Sequence, residues 1–464
     1  MNIAIQNLGV LDQADFSLGR LTVICGNNNT GKTYATYALY GFLSFWREIY
    51  SIDVKDDSIT TLINEGILHL DISQYLGKAE QLLREGCKQY NEQLPMVFAA
   101  SKARFSNSEF LVSITEDELH PLEHYEQRMQ AAKADIFMLS KSNGSNDLTV
   151  TLLGDKKNLR VPREVIRKII GDALKEIVFA DIFPRPFIAS AERTGAAIFR
   201  KELNFARNRL LEEMSQSDKK VNPLNLLFKV YQDYALPVKK NVDFMRDLES
   251  LDKKSSFIAD RHPQILNDFS DIIGGEYTVN REDQLYYVPK GKKIRLSMDE
   301  SSSAVRSLLD LGFYLKHVAA PGDLLMVDEP ELNLHPSNQC RVAKLLARLV
   351  NHGIQVFITT HSDYIIKEFN TLIMLSRKTS HLQGIASREG YKDDELLSHD
   401  IIKVYVADKA LVDMRDGGRR KQRQTLIEAE ISPKYGIEAT SFDSTIDEMN
   451  RVQEEIVWGE NQDD

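Results

Sequence analysis

The segment Gly26-Asn27-Asn28-Asn29-Thr30-Gly31-Lys32-Thr33 satisfies every fixed position of the pattern G-x-x-x-x-G-K-[ST]. Successive main-chain N–H groups in such a loop form a concave anion nest, the lysine reaches the outer phosphates, and the following hydroxyl binds Mg²⁺. Lys32 and Thr33 occupy those two positions, so the segment reads as a nucleotide site. The apolar run Leu21-Thr22-Val23-Ile24 precedes it and a helix-prone stretch follows. That is the strand, loop and helix N-terminus that phosphate binding requires.

A second segment, Leu324-Leu325-Met326-Val327-Asp328-Glu329-Pro330-Glu331, is an apolar strand ending in carboxylates. At such a position one carboxylate, Asp328, would hold the Mg²⁺ and the next, Glu329, would act as general base on the attacking water. Strands that simply end in acidic residues are common, and it is the pairing with the phosphate loop that favours chemistry. A third run, Val356-Phe357-Ile358-Thr359-Thr360-His361-Ser362, places a histidine after the next strand. Parallel strands open their carboxyl ends onto one crevice. His361 can therefore bond the γ-phosphate or hold the water, the alternative being a structural role.

Elements must bring these three segments together. Strands are predicted at 3–5 and 21–24, then a helix from residue 34 with Tyr34, Tyr37, Tyr40 and Phe45 as a packing stripe. Further strands are predicted at 99–105, 110–114, 136–139 and 148–153, a helix at 161–179, and a strand at 186–190. Helices are expected to fill 196–273, followed by strands at 277–279, 285–288 and 294–296. The last third alternates: helix 303–317, strand 324–327, helix 338–350, strand 356–359 and helix 362–369. Residues 1–50 and 276–376 thus read as two parts of one α/β nucleotide-binding domain, parted by a mainly helical insertion at 51–275 and followed by an extension at 377–464.

The 464 residues suffice for a large core in two or three lobes. No apolar run approaches the roughly 20 residues that span a bilayer, and no signal-like start is present. Cys25, Cys87 and Cys340 are scattered and odd in number, which suits reduced thiols in a cytoplasm. A net charge of −10 argues against a surface that coats nucleic acid. One cluster (Arg415, Arg419, Arg420, Lys421, Arg423) reads either as a solvated loop or as a contact for a partner or nucleic acid.

The order of these motifs, above all the run Asp328 to Pro336 and Thr359 to Ser362, resembles an ABC-class ATPase. The likeness is to the branch containing SMC, RecF and OLD proteins. It implies an α/β ABC-type head, a P-loop fold with a mixed sheet split by a long insertion, binding ATP and Mg²⁺. It also implies a head-to-tail dimer in which a partner's signature serine seals each nucleotide. The candidates are Ser301, Ser302 and Ser303, though the usual Leu-Ser-Gly-Gly run is missing and plain helix capping is the alternative. Asn333 and His335 fall in the matching dimer-contact loop, and Arg193, in Ser-Ala-Glu-Arg-Thr-Gly, in a segment such proteins carry at that point.

No nuclease signature accompanies the ATPase: Ala410 stands where an Asp-x-Asp pair after 401–406 would need its second aspartate. The layout is similar to ATPases of bacterial anti-phage systems, such as the PtuA subunit of Septu, the AriA subunit of PARIS and retron-associated ATPases. That implies a cytoplasmic sensor or scaffold controlling a separate nuclease or toxin, with a phage-encoded or nucleic-acid trigger and assembly to a dimer or beyond. A RecF-like clamp on DNA is the alternative, and an ATPase that binds without hydrolysing is a third.

Overall fold

The computed structural model describes residues 1–131, 134–153, 161–198, 234–280, 284–413, 420–438, 448–449 and 451–455. The chain divides into two compact units, one of residues 1–4, 42–93 and 110–185, the other of residues 5–41, 94–109 and 186–464.

The second unit is built on a six-stranded sheet. In chain order its strands are β1 (Leu21–Cys25), β2 (Pro186–Ala189), β3 (Leu324–Asp328), β4 (Gln355–Thr360), β5 (Ile402–Val412) and β6 (Lys421–Glu428). Across the sheet they lie β6-β5-β1-β4-β3-β2. All neighbours run parallel except β5 and β6, which gives the mixed sheet of an ABC-type ATPase head. Every residue of β1 and β3 is buried. Strands covered on both faces need unbroken apolar runs, and Leu-Thr-Val-Ile-Cys and Leu-Leu-Met-Val supply them. The register sets Asp328 beside Thr359 and Thr360 beside Cys25, so the three chemistry-bearing segments leave the sheet at one edge.

Four helices bear on the site: α1 (Lys32–Glu48), of which residues 32–41 belong to this unit, α2 (Ser303–Ser307), α3 (Pro336–Asn351) and α4 (Asp363–Leu375). Val342, Leu345, Leu346 and Leu349 of α3, with Ile365, Phe369 and Leu372 of α4, pack into the same core as β1, β3 and β4. The helix expected over 303–317 is instead broken. Leu308 leaves helical geometry at φ −103° and ψ 4°, a short helix Leu309–Phe313 follows, and a π-turn Tyr314–Val318 closes it. Gly312 lies so close to Phe269 and Tyr277 that a Cβ there would meet them at 2.7 and 2.8 Å.

Other expectations shift for similar local reasons. The strand expected at 99–105 is a 3₁₀ turn, Lys102–Phe105, whose aromatic neighbour Phe98 stacks on Tyr34 and Phe105 rather than joining a ladder. The strand expected at 294–296 shrinks to Leu296–Ser297. Strand β5, within the extension at 377–464, hydrogen-bonds directly to β1. Part of the helical content expected for 196–273 falls at 199–233, outside the described residues.

The first unit carries an antiparallel sheet in the order Ile67–Asp71, Asp147–Leu152, Ala134–Lys141, Tyr125–Ala131. Leu68, Leu70, Phe137, Leu139, Leu148 and Val150 are buried, following the two-residue alternation of strands. Phe42, Trp46, Tyr90, Phe110, Phe179 and Phe183 form an aromatic cluster with ring centroids 4.8 to 6.0 Å apart. Among the described residues no helix is long and apolar enough to cross a membrane.

Candidate nucleotide site

The phosphate loop is held by contacts that only glycine permits. Gly26 and Gly31 adopt φ of 131° and 100°. A Cβ on Gly26 would lie 2.8 Å from the Ala407 carbonyl oxygen of β5, and one on Gly31 2.6 Å from Leu11. Both backbone conformation and close approach therefore exclude a side chain. Asn27, Asn28, Asn29 and Thr33 are exposed and Thr30 is half-buried. The Thr30 hydroxyl donates to the Asn27 carbonyl at 2.8 Å, and the Thr30 carbonyl accepts from the Gln424 side chain of β6 at 3.2 Å. Lys32 is buried, and its Nζ donates to the Gly26 and Asn27 carbonyls at 2.8 and 2.7 Å. Burial pulls its pKa down, against the opposing attraction of Glu329, Asp328 and Glu331.

Opposite the loop, Asp328 closes β3. It is 1% exposed, and its Oδ1 accepts from the Thr359 hydroxyl of β4. Glu329 follows in the left-handed region at φ 54°, a conformation that costs a non-glycine residue free energy. Three contacts hold it there. Its N–H donates to Thr359 at the carbonyl (3.1 Å) and hydroxyl (3.2 Å), and its carbonyl accepts from Arg193 at 2.8 Å. The turn leaves its side chain partly exposed, with His361 Nδ1 3.7 Å from its Oε1. Glu331, which sequence reasoning left without a role, anchors the histidine. Its Oε1 accepts from the Thr360 hydroxyl at 2.9 Å and the His361 N–H at 2.8 Å, and lies 3.3 Å from His361 Nδ1. The sole sequence signal for Glu331 was its place two residues after the Asp-Glu pair.

These residues fit a magnesium-bound triphosphate. The second carboxylate oxygen of Asp328, Oδ2, is buried without a hydrogen-bond partner, which is costly unless a cation takes it. Burial pushes the Asp328 carboxyl up to about 6, with the Thr359 hydroxyl opposing. In an unfolded chain the same group titrates near 3.9. Stability therefore falls as pH rises between those values, and the full loss is present at neutral pH. Thermal denaturation should show Mg-ATP raising the melting temperature by several degrees at pH 7.5, and by less than half as much at pH 5.5. Equal rises at both values would count against Asp328 as the metal ligand.

The serine segment behaves locally in this chain. The Ser302 hydroxyl caps α2 by accepting from the Val305 N–H at 3.3 Å. Ser301 donates to the Ser297 carbonyl at 2.7 Å, and Ser303 accepts from Arg306 at 3.2 Å. Of the basic cluster, Arg415 and Arg419 lie outside the described residues, Arg420 pairs with Asp413 and Arg423 with Asp12. His335 accepts from the Ser337 N–H as the cap of α3.

No curated protein matches the chain significantly in sequence. Solved SMC head domains overlap it with 11–14% identity. One, bound to the C-winged helix domain of ScpA, covers 91% of this chain and 97% of its own at a TM-score of 0.31. Another, from Thermotoga maritima, covers 93% and 98% at 0.30. A third has an extended coiled coil bound to the C-terminal domain of ScpA derived from Pyrococcus furiosus, and covers 98% of both at 0.31. The fold therefore rests on strand order and motif placement. The profile of the AAA ATPase domain matches residues 1–366, which takes in the phosphate loop, the Asp328-Glu329 pair and His361. With those three segments meeting at one sheet edge, the chain belongs to the AAA ATPase domain family.

Proposed function

We propose that this chain hydrolyses ATP as the sensor or scaffold subunit of a bacterial anti-phage system, controlling a separate nuclease or toxin in the cytoplasm. The observation that carries the hydrolytic part is the convergence of Lys32, Asp328, Glu329 and His361 at the carboxyl ends of β1, β3 and β4. The loop from Gly26 to Thr33 wraps the phosphates, and Lys32 leaves its loop carbonyls for the β- and γ-oxygens. The Thr33 hydroxyl and Asp328 would hold a Mg²⁺, which would neutralise phosphate charge. Glu329 takes the proton of the attacking water, and His361, fixed by Glu331, bonds the γ-phosphate or steadies that water.

Regulation follows from assembly. Two chains meet head to tail, and Ser301, Ser302 or Ser303 of one closes on the nucleotide of the other. ATP acts as a switch to the extent that it binds the closed pair better than the separate chains. A RecF-like clamp on DNA is less well supported, because the net charge is −10 and Arg420 and Arg423 are already paired. Duplex binding that weakens steeply with salt would revive it.

Mixing tests the shared site. Ser302→Arg and Lys32→Ala are each expected to be inactive alone. A random mixture of the two places one intact Lys32–Ser302 site in every mixed dimer, which predicts about a quarter of wild-type turnover. No recovery, with mixed dimers verified by mass, would refute a site built from two chains.

A further inference from the structure

Arg193 is among the largest fully buried side chains described, at 1% exposure, and its four hydrogen bonds all go to main-chain carbonyls. Its Nη1 donates to Ser190 at 2.9 Å and to Asp328 at 2.6 Å, and its Nη2 to Glu329 at 2.8 Å. Its Nε donates to Ser307, the last residue of α2, at 2.6 Å. One planar guanidinium thus spans the end of β2, both residues of the carboxylate pair and the helix that Ser302 caps. Arginine suits this because its donors form a rigid fork, and the bonds are charge-assisted.

The nearby negative charge is arranged unusually. Asp310 is buried and neither of its oxygens has a hydrogen-bond partner. Burial raises its carboxyl to about 7, with the Arg193 charge opposing. Asp310 makes no hydrogen bond to the guanidinium, whose bonds all go to carbonyls. The neighbouring Glu192 faces the other way and accepts from the Tyr37 hydroxyl of α1 at 2.7 Å. The segment Ser190-Ala191-Glu192-Arg193 in this way touches the phosphate-loop helix, the carboxylate pair and α2 at once.

We propose that Arg193 is a positioning residue for ATP hydrolysis that ties the left-handed turn of Glu329 to the helix capped by Ser302. When that helix engages a nucleotide held by a second copy, the displacement at Ser307 is passed through the guanidinium to the Glu329 main chain. Closure of the dimer and placement of the general base become one event. This rests on the hydrolytic reading above.

The test uses the full chain and measures ATPase rate, affinity for a fluorescent ATP analogue and melting temperature together. Arg193→Lys keeps the charge but cannot reach four carbonyls, and should lower kcat roughly tenfold with KM and analogue affinity within about threefold. Arg193→Met should lower kcat at least a hundredfold. The double variant Arg193→Met with Asp310→Leu removes both buried charges, so it should fold yet stay as slow as Arg193→Met. A purely structural arginine would instead lower the melting temperature and the amount of active protein, and the double variant would recover activity. Wild-type kcat in a folded Arg193→Lys chain, or recovery in the double variant, overturns the proposal. If the wild-type chain itself does not hydrolyse ATP, the hydrolytic reading fails first, and that outcome is distinct from either.

Discussion

Glu329→Gln should abolish turnover while leaving ATP bound. The substitution removes the proton acceptor but keeps the shape of the side chain, and the main-chain contacts that impose the φ of 54° do not involve the carboxylate. Loss of a positioned general base typically lowers a rate 10²- to 10⁴-fold, and the larger end is expected here because the two described carboxylates beside Glu329 are each tied to a neighbouring strand residue. Asp328 is committed to Thr359 and the metal position, and Glu331 holds Thr360 and the His361 N–H. ATP should therefore accumulate unhydrolysed, and size-exclusion chromatography with ATP should show the variant shifted to the dimer. Hydrolysis at the wild-type rate would remove Glu329 from the role of base, and rapid loss of nucleotide would separate hydrolysis from assembly.

The second large effect is Lys32→Ala. Its ammonium is buried beneath the loop and bonded to two loop carbonyls, so truncation removes a phosphate ligand and a loop brace together. A charge-assisted bond contributes on the order of 1.5–3 kcal/mol, which corresponds to ATP affinity lowered roughly 10- to 100-fold. Isothermal titration with ATP and Mg²⁺ measures this directly. Removal of the charge also takes away a cation that Asp328, Glu329 and Glu331 attract, so a lower melting temperature should accompany the loss. Undiminished ATP affinity in this variant would mean that the loop does not bind the phosphates through Lys32.

The parts of the site that the sequence announces share one physical cause. Strands buried on both faces must be continuously apolar, so Asp328 and His361 each stand out as the polar end of such a run, and the glycine-bounded loop to Lys32 as the turn that follows another. Arg193 lacks that contrast. In Ser-Ala-Glu-Arg-Thr-Gly it sits among residues typical of an exposed turn, and its burial is decided by four carbonyls, three of them from two distant segments. The start of strand β5 reads as strand-like at 401–406, and its second half is concealed differently. There Asp408 and Lys409 interrupt the apolar pattern because the strand borders the edge strand β6 and is only partly covered. In residues 67–71 the buried Leu68 and Leu70 alternate with exposed positions, and so short an alternation is the weakest periodic signal. The break in the helix after Ser307 is likewise tertiary, since Gly312 accommodates Phe269 and Tyr277 from other segments.

The place of β5 beside β1 bears on how the protein comes into being. The phosphate loop is made well before β5, and its strand acquires both sheet neighbours only after residue 412 has been made. Until then Gly26 lacks the Ala407 backbone against which it rests. Pairings this distant in sequence form late and slowly. A chain that stops before β5 would thus lack the backbone against which the nucleotide cradle is finished.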